Sequence, residues 1–224
     1  MKANLFAVIH SRERSEAHSN AELAIKCGMD GVFFISHGDL MPEAIIHIAE
    51  AFKKEYPDAM VGVNLLGENL QQALSAVNES TLDMVWTDES PSENDIRVIK
   101  GFRDFGFWKK KTKWYGGVAF KYQPQPDDLT VAAKEAIGVI DVLTTSGVGT
   151  GRAPDIEKLK TLAEGFGQRV AVASGASADN IEAMLPYVGD FLIATSIGKD
   201  FYNLDEEKCL AVVKAAREAE LISS

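Results

Sequence analysis

Short apolar runs and amphipathic segments alternate along this chain from one end to the other. Leu5–Ile9 is a β-rich run ending at His10, and Ala17–Lys26 follows with helical spacing until Gly28 stops it. Gly31–Ile35 predicts a second strand. Pro42 then opens a helix over Glu43–Glu55, with Ile45, Ile46, Ala49 and Phe52 on one face. Met60–Leu65 and Asn69–Asn78 form the third pair, and Leu82–Trp86 is the fourth strand, followed by a helix from Ser92 or Glu93 to about Phe105. Trp114–Phe120 reads as strand five despite Gly116-Gly117, which permits tight packing. A short helix over Leu129–Ile137 follows, capped by Asp127 or Asp128. The last three pairs are Asp141–Thr145 with Pro154–Phe166, Arg169–Ala173 with Ala178–Leu185, and Asp190–Thr195 with Asp205–Ala219.

Eight strand–helix pairs with short connections predict an α/β fold, a single (β/α)8 TIM barrel over residues 1–224. Continuous apolar strands suit a parallel sheet covered by helices. An open doubly wound sheet would more often place a Gly-rich turn after its first strand, where this chain has His10-Ser11-Arg12-Glu13-Arg14. The length of 224 residues fits one barrel, which takes roughly 200–250.

Composition narrows the classes. A net charge of −10 argues against a general nucleic-acid binder, because phosphate backbones demand a basic surface. The basic run Trp108–Trp114 precedes strand five, opposite the expected active end, and reads as a solvated loop. No apolar stretch reaches a membrane span, and the N-terminus lacks the pattern of a signal peptide, so a cytoplasmic protein is expected. Cys27 and Cys209 fall on the first and last helices and read as packing thiols. The outer helices leave room for a homodimer.

The chemistry of a barrel gathers at the C-terminal ends of its strands. Here that rim reads His10, His37 with Asp39, Asn64, Asp88 with Glu89, and Lys121. His10, His37, Asp39 and Asp88 are candidate acids or bases. Lys121 is a candidate Schiff-base amine or cation, with an ion pair to Asp88 or Asp39 as the structural alternative. No HExxH, CxxC pair, EF-hand loop or GxSxG elbow is present, so no metal is expected; no nicotinamide or flavin cofactor is evident, although a flavin phosphate would suit such a barrel. Three glycine- and hydroxyl-rich turns follow strands six, seven and eight: Ser146–Gly151, Ser174-Gly175-Ala176-Ser177, and Thr195-Ser196-Ile197-Gly198. Such turns leave backbone N–H groups free and suit phosphate. Candidate anion ligands are Ser146, Gly147, Gly149, Thr150, Gly151, Ser174, Gly175, Thr195 and Ser196, with Asn64 on the rim and Arg152 behind the first turn.

In these turns the chain resembles the BtpA family, whose members are similar to ribulose-phosphate-binding barrels. Ser146 to Asp155 is similar to the family's S-G-x-x-T-G-x-x-P-D segment. Ala173–Asn180 resembles its G-S-G-x-x-x-x-N turn, and Ala194–Asp200 its G-T-S-x-K-x-D turn with Gly198 and Lys199 displaced by one residue. Gly38-Asp39, Gly62-Val63-Asn64 and Lys121 match a G-D, a G-V-N and a lysine. The chain departs from the pattern at His10-Ser11-Arg12-Glu13, at Thr87-Asp88-Glu89 and at Tyr122. The family's name refers to photosystem I biogenesis, and other members sit among sugar-metabolism proteins. The resemblance implies a barrel that holds a small phosphorylated molecule, a sugar phosphate or nucleotide-like metabolite. Two functions are open: an isomerase, epimerase or lyase acting on that metabolite, or a non-catalytic binding or complex-assembly protein that keeps the phosphate site.

Overall fold

The computed structural model describes residues 2–36, 40–106, 108 and 112–222. Its strands are β1 (Asn4–Ser11), β2 (Gly31–Ser36), β3 (Met60–Asn64), β4 (Met84–Thr87), β5 (Lys113–Gly117), β6 (Val142–Thr145), β7 (Val170–Val172) and β8 (Val188–Ile193). All pair in parallel and in chain order, and β8 closes on β1 with Asn4 opposite Asp190. Between them run α1 (Arg14–Lys26), α2 (Pro42–Glu55), α3 (Leu70–Asn78), α4 (Glu93–Asp104), α5 (Leu129–Glu135), α6 (Ile156–Phe166) and α7 (Ile181–Met184), with α8 (Glu206–Ile222) closing the chain. The fold is the expected (β/α)8 barrel. No described helix is long and apolar enough to cross a membrane.

The two-residue period of each strand sorts side chains into two layers. Leu5, Ala7 and Ile9 face the helices, while Phe6 and Val8 face the barrel interior with Phe33, Ile35, Met84, Trp86, Tyr115 and Leu192. Edge-to-face aromatic pairs fill that interior, with Phe6–Phe33 at 5.6 Å and Phe33–Tyr115 at 5.2 Å between ring centroids. The same alternation carries His10, Asn64 and Asp88 to the upper end of the interior layer.

Caps follow from local chemistry. Ser92 and Asp95 form a reciprocal capping box on α4, Asn69 and Gln72 do so on α3, and Asp128 caps α5. Some elements depart from expectation. Strand β5 ends at Gly117, because the apolar Val118-Ala119-Phe120 run bends away with Ala119 at φ +51°. An added Cβ at Gly117 would lie 2.0 Å from the Asp88 carbonyl, so this glycine permits the close approach of the β4 rim. Strand β4 starts at Met84 although Leu82 is buried, and β8 starts already at Val188 and gives way to a 3-10 turn over Thr195–Ile197. Helix α7 has one turn only, since Ser177–Asn180 closes a side-chain-bonded turn of its own.

The N-terminal face is tied by a repeated device. Asp30, Asp83 and Asp141 each stand one residue before an even-numbered strand, and each accepts the backbone N–H of the preceding odd strand: Leu5 at 2.9 Å, Val61 at 2.9 Å and Trp114 at 2.8 Å. A helix cation meets each carboxylate, Arg217 at 2.6 Å, Lys53 at 2.8 Å and Arg103 in two bonds of 3.0 Å. Burial raises the Asp30 pKa, but hydrogen bonds from Lys2, the Leu5 N–H and Arg217 outweigh it and hold the carboxyl below its usual range. Asp190 differs: it accepts from Asn4 and from Tyr115, and burial pushes its pKa up. Cys27, just past α1, and Cys209 on α8 are both buried, their thiols facing the Glu206 carbonyl at 3.9 Å and the Ile197 carbonyl at 4.0 Å.

Candidate active site at the C-terminal mouth

Lys121 is set by an unusual backbone. Ala119 before it has φ +51° and Tyr122 after it φ +63°, both in the left-handed region that costs a non-glycine residue about 1–2 kcal/mol. The Lys121 N–H donates to Ser146 Oγ at 2.7 Å, and its Nζ donates to the Ala173 carbonyl at 3.2 Å. Burial lowers the Lys121 pKa, partly offset by the charge of Asp88. Asp88 moves the opposite way: burial raises its pKa, while Asn64 Nδ2, donating at 3.1 Å, and Lys121 lower it. The two groups act on each other across the mouth, and among the described residues they form no direct ion pair; Asp39, the other partner weighed for Lys121, lies outside those residues. An amine pushed toward neutrality facing a carboxyl pushed toward protonation is an arrangement suited to proton transfer.

His10 joins them from β1. Its ring stacks on Phe201 with centroids 4.1 Å apart, and Nδ1 lies 2.7 Å from the Phe201 carbonyl. A carbonyl only accepts, so Nδ1 carries the proton in that bond. Burial lowers the His10 pKa, opposed by the bond to the Phe201 carbonyl and reinforced by the nearby Lys121. A hollow of about 310 Å³ opens beside it, lined by His10, Thr195, Gly198, Lys199 and Phe201. His37 and Asp39 lie outside the described residues.

The turns are more tightly built than their composition suggests. Ser146 is fully buried, and its hydroxyl donates to the Gly147 carbonyl while accepting from Lys121. Ser174 donates to the Gly149 carbonyl at 3.0 Å, and Ser196 to the Ala176 carbonyl at 2.5 Å. Each hydroxyl thus fastens one turn to itself or to its neighbour. Gly147 and Gly175 serve the same packing, since a Cβ on either would strike the Arg152–Ala153 backbone at 2.1 Å. Gly149 and Gly151 border open space, with nothing nearer than 3.7 Å to an added Cβ, and Thr150 and Thr195 are exposed. Among the described residues none accepts from the N–H groups of Gly175 and Ala176. The leading N–H groups of the 3-10 turn at Thr195 and Ser196 have no acceptor inside that turn.

Two residues escaped the sequence reading. Tyr122 lays its hydroxyl over the Ser146–Gly151 turn, accepting the Thr150 N–H at 3.3 Å. Lys158, in the first turn of α6, sends its ammonium under the mouth to the Ala119 carbonyl at 2.6 Å and the Ser146 carbonyl at 2.8 Å. A signal for Lys158 was available: a lysine in the first turn of a helix opposes the macrodipole, so its retention there calls for a partner.

With this geometry in view, comparison with known proteins adds the following. The model of the BtpA family matches residues 121–218, a stretch that begins at Lys121 and contains all three turns, and the resemblance to that family stands. An uncharacterised protein of Methanocaldococcus jannaschii is 26% identical over 204 residues, covering 87% of this chain and 77% of its own. One from Thermococcus kodakarensis is 25% identical over 214 residues, covering 86% and 82%. Among solved structures, a native KDPGal structure superposes with TM-score 0.72 at 16% identity over 99% of this chain and 98% of its own. Phosphoribosyl anthranilate isomerase from Thermus thermophilus gives 0.67 at 16% identity over 97% and 99%. A 3-hexulose-6-phosphate synthase gives 0.66 at 17% over 96% and 99%. At such identities these neighbours share the fold alone.

Proposed function

We propose that the C-terminal mouth binds a small phosphorylated metabolite and catalyses a proton-transfer reaction on it, an isomerisation, epimerisation or lyase cleavage. The observation that carries this reading is the convergence of Lys121, Asp88 and His10 in one half-buried mouth, beside turns in which the N–H groups of Gly175, Ala176, Thr195 and Ser196 meet no acceptor among the described residues. The anionic end would sit against the N–H groups of Gly175, Ala176, Thr195 and Ser196, since the serine hydroxyls are engaged with carbonyls. The organic end would then reach the Lys121–Asp88–His10 side. There the His10 ring or the Lys121 amine can accept a proton from carbon, and the Asp88 carboxyl, its pKa raised by burial, can donate one to the oxygen that gains charge. Asn64 Nδ2 donates to Asp88 Oδ1 and so holds that carboxyl. If the substrate presents a carbonyl to Lys121, the amine can add to it and lose water, giving a Schiff base that draws electrons from the adjacent bond. The fastening of the turns by their own hydroxyls and glycines favours a second reading, a binding protein that keeps the mouth without turnover.

Thermal shift against a panel of sugar phosphates tests the site. A ligand at ten times its Kd adds about 1.4 kcal/mol, worth roughly 3–6 °C in a chain of this size. Thr195→Glu, which places a carboxylate at the anion turn, should abolish the shift. Lys121→Ala should keep binding and lose turnover; binding with no turnover in the wild type on any panel member would select the second reading. No shift with any phosphate compound at millimolar concentration would sink the proposal. Borohydride in the presence of an active carbonyl substrate should trap an adduct on Lys121 if the Schiff base forms.

A further inference from the structure

Beneath the mouth, Lys158 holds two strand ends at once. Its ammonium bonds the carbonyl of Ala119, the residue whose φ of +51° turns the chain toward Lys121, and the carbonyl of Ser146, which opens the glycine turn. Thr145 Oγ1 also donates to the Ala119 carbonyl, at 3.4 Å. Above, two further links join the same segments: Lys121 N–H to Ser146 Oγ, and Tyr122 hydroxyl to Thr150 N–H. The turn after β5 and the turn after β6 are therefore bolted together on both sides of Lys121. Such a bolt is costly to keep. The helix dipole disfavours an ammonium in the first turn of α6, and a half-buried cation loses hydration, which its carbonyl bonds and the charge of Asp155 offset in part.

We infer that Lys158 is a positioning residue, which aims Lys121 into the mouth and couples that aim to the geometry of the anion-binding turn. The inference rests on the reading of the mouth given above. A strained left-handed alanine persists only where its surroundings over-determine it, and Lys158 supplies that hold at a carbonyl two residues before the functional amine. Anion binding on the glycine turn would be felt at Lys121 through the same ammonium, so that binding energy at the phosphate end serves alignment at the reacting end.

The test uses the full-length protein and two readouts. Competitive acetylation with limiting acetic anhydride across pH, read by peptide mass spectrometry, gives the apparent pKa of Lys121. Titration with inorganic phosphate gives the affinity of the turn. For Lys158→Met the Lys121 profile should move by about one pH unit or more toward an ordinary lysine, as its hold in the half-buried site is lost. Phosphate affinity should fall by about tenfold or more. Lys158→Arg, which keeps a cation able to reach both carbonyls, should restore most of both. Lys53→Gln on the N-terminal face serves as control: it should lower stability and leave the Lys121 profile in place. Should Lys158→Met fail to fold, Lys158→Gln replaces it. A Lys121 profile that coincides in wild type and Lys158 variants would overturn the inference, as would an equal shift in the Lys53→Gln control. If wild type binds no phosphate, the function proposed for the mouth fails, while the acetylation profile still decides the role of Lys158.

Discussion

At the N-terminal face Asp141 accepts the Trp114 N–H and both arms of Arg103, whereas at the C-terminal mouth Asp88 is met by one Asn64 amide and a distant Lys121. Cations divide in the same way. Arg217, Lys53 and Arg103 each close a short ion pair below, while among the described residues Lys121 and Lys158 above hydrogen-bond to backbone carbonyls. One end satisfies its charges and fastens the barrel. The other leaves charges half-satisfied in a low-dielectric mouth, which costs stability and prepares groups for reaction. The contrast assigns roles to residues of the same type by the partners they have.

Removing a satisfied charge should do the most damage. Asp141→Ala strands Arg103 and the Trp114 N–H, and is expected to cost about 2–4 kcal/mol in urea unfolding. The phosphate affinity of the molecules still folded should be unchanged. Asp88→Asn should behave in the opposite sense, with stability kept or slightly raised and turnover lost. Because the Asp88 charge supports the Lys121 ammonium, the substitution should also lower the Lys121 pKa further in competitive acetylation. A fall in stability as large as that of Asp141→Ala would erase the distinction between the two ends.

The pH dependences should diverge as well. Asp30 has a folded pKa below its unfolded value, so its contribution is present above that unfolded value and is lost as pH falls through the folded one. Asp30→Asn should therefore be less stable than wild type at neutral pH and approach it in acid. Asp88 has a raised folded pKa, so the folded state binds its proton more tightly and stability declines as pH rises through the carboxylate range. Asp88→Asn should escape that decline, gaining on wild type from acid to neutral pH. Thermal melts across pH on both variants check the two signs together.

The smallest effect is expected at the backbone. Ala119→Gly relieves the left-handed strain but frees the unfolded chain, leaving a net gain of up to about 1 kcal/mol. Phosphate affinity should fall if the strained turn serves the mouth. A loss of stability would show that the conformation is not strained in its setting.

Much of this contrast could be read from residues, and part of it could not. The alternation of apolar runs and helices reveals the barrel because each strand needs cover on both faces. It also brings His10, Asn64, Asp88 and Lys121 to one rim. Val118-Ala119-Phe120 is as apolar as a strand, so composition extends β5 past Gly117, whereas the chain turns at Ala119, whose carbonyl accepts from a lysine almost forty residues later. Hydroxyl-rich composition looks the same whether a hydroxyl meets phosphate or a carbonyl, and the hydroxyls of Ser146, Ser174 and Ser196 each donate to a carbonyl. Their donors and acceptors emerge only when the turns stack on Arg152–Ala153. The Asp30, Asp83 and Asp141 device has a visible trace, an aspartate before each of three apolar runs. Its partners come from α8, α2 and α4, and no local spacing links them.

The measurement that bears most directly on the mouth is the structure of crystals grown with a saturating sugar phosphate. Density for the phosphate is expected within hydrogen-bonding distance of the Gly175 and Ser196 N–H groups, with the organic end directed to Lys121 and Asp88. A mouth that stays empty at saturation, or a phosphate seated instead on the N-terminal face among Arg103, Lys113 and Arg169, would contradict that expectation.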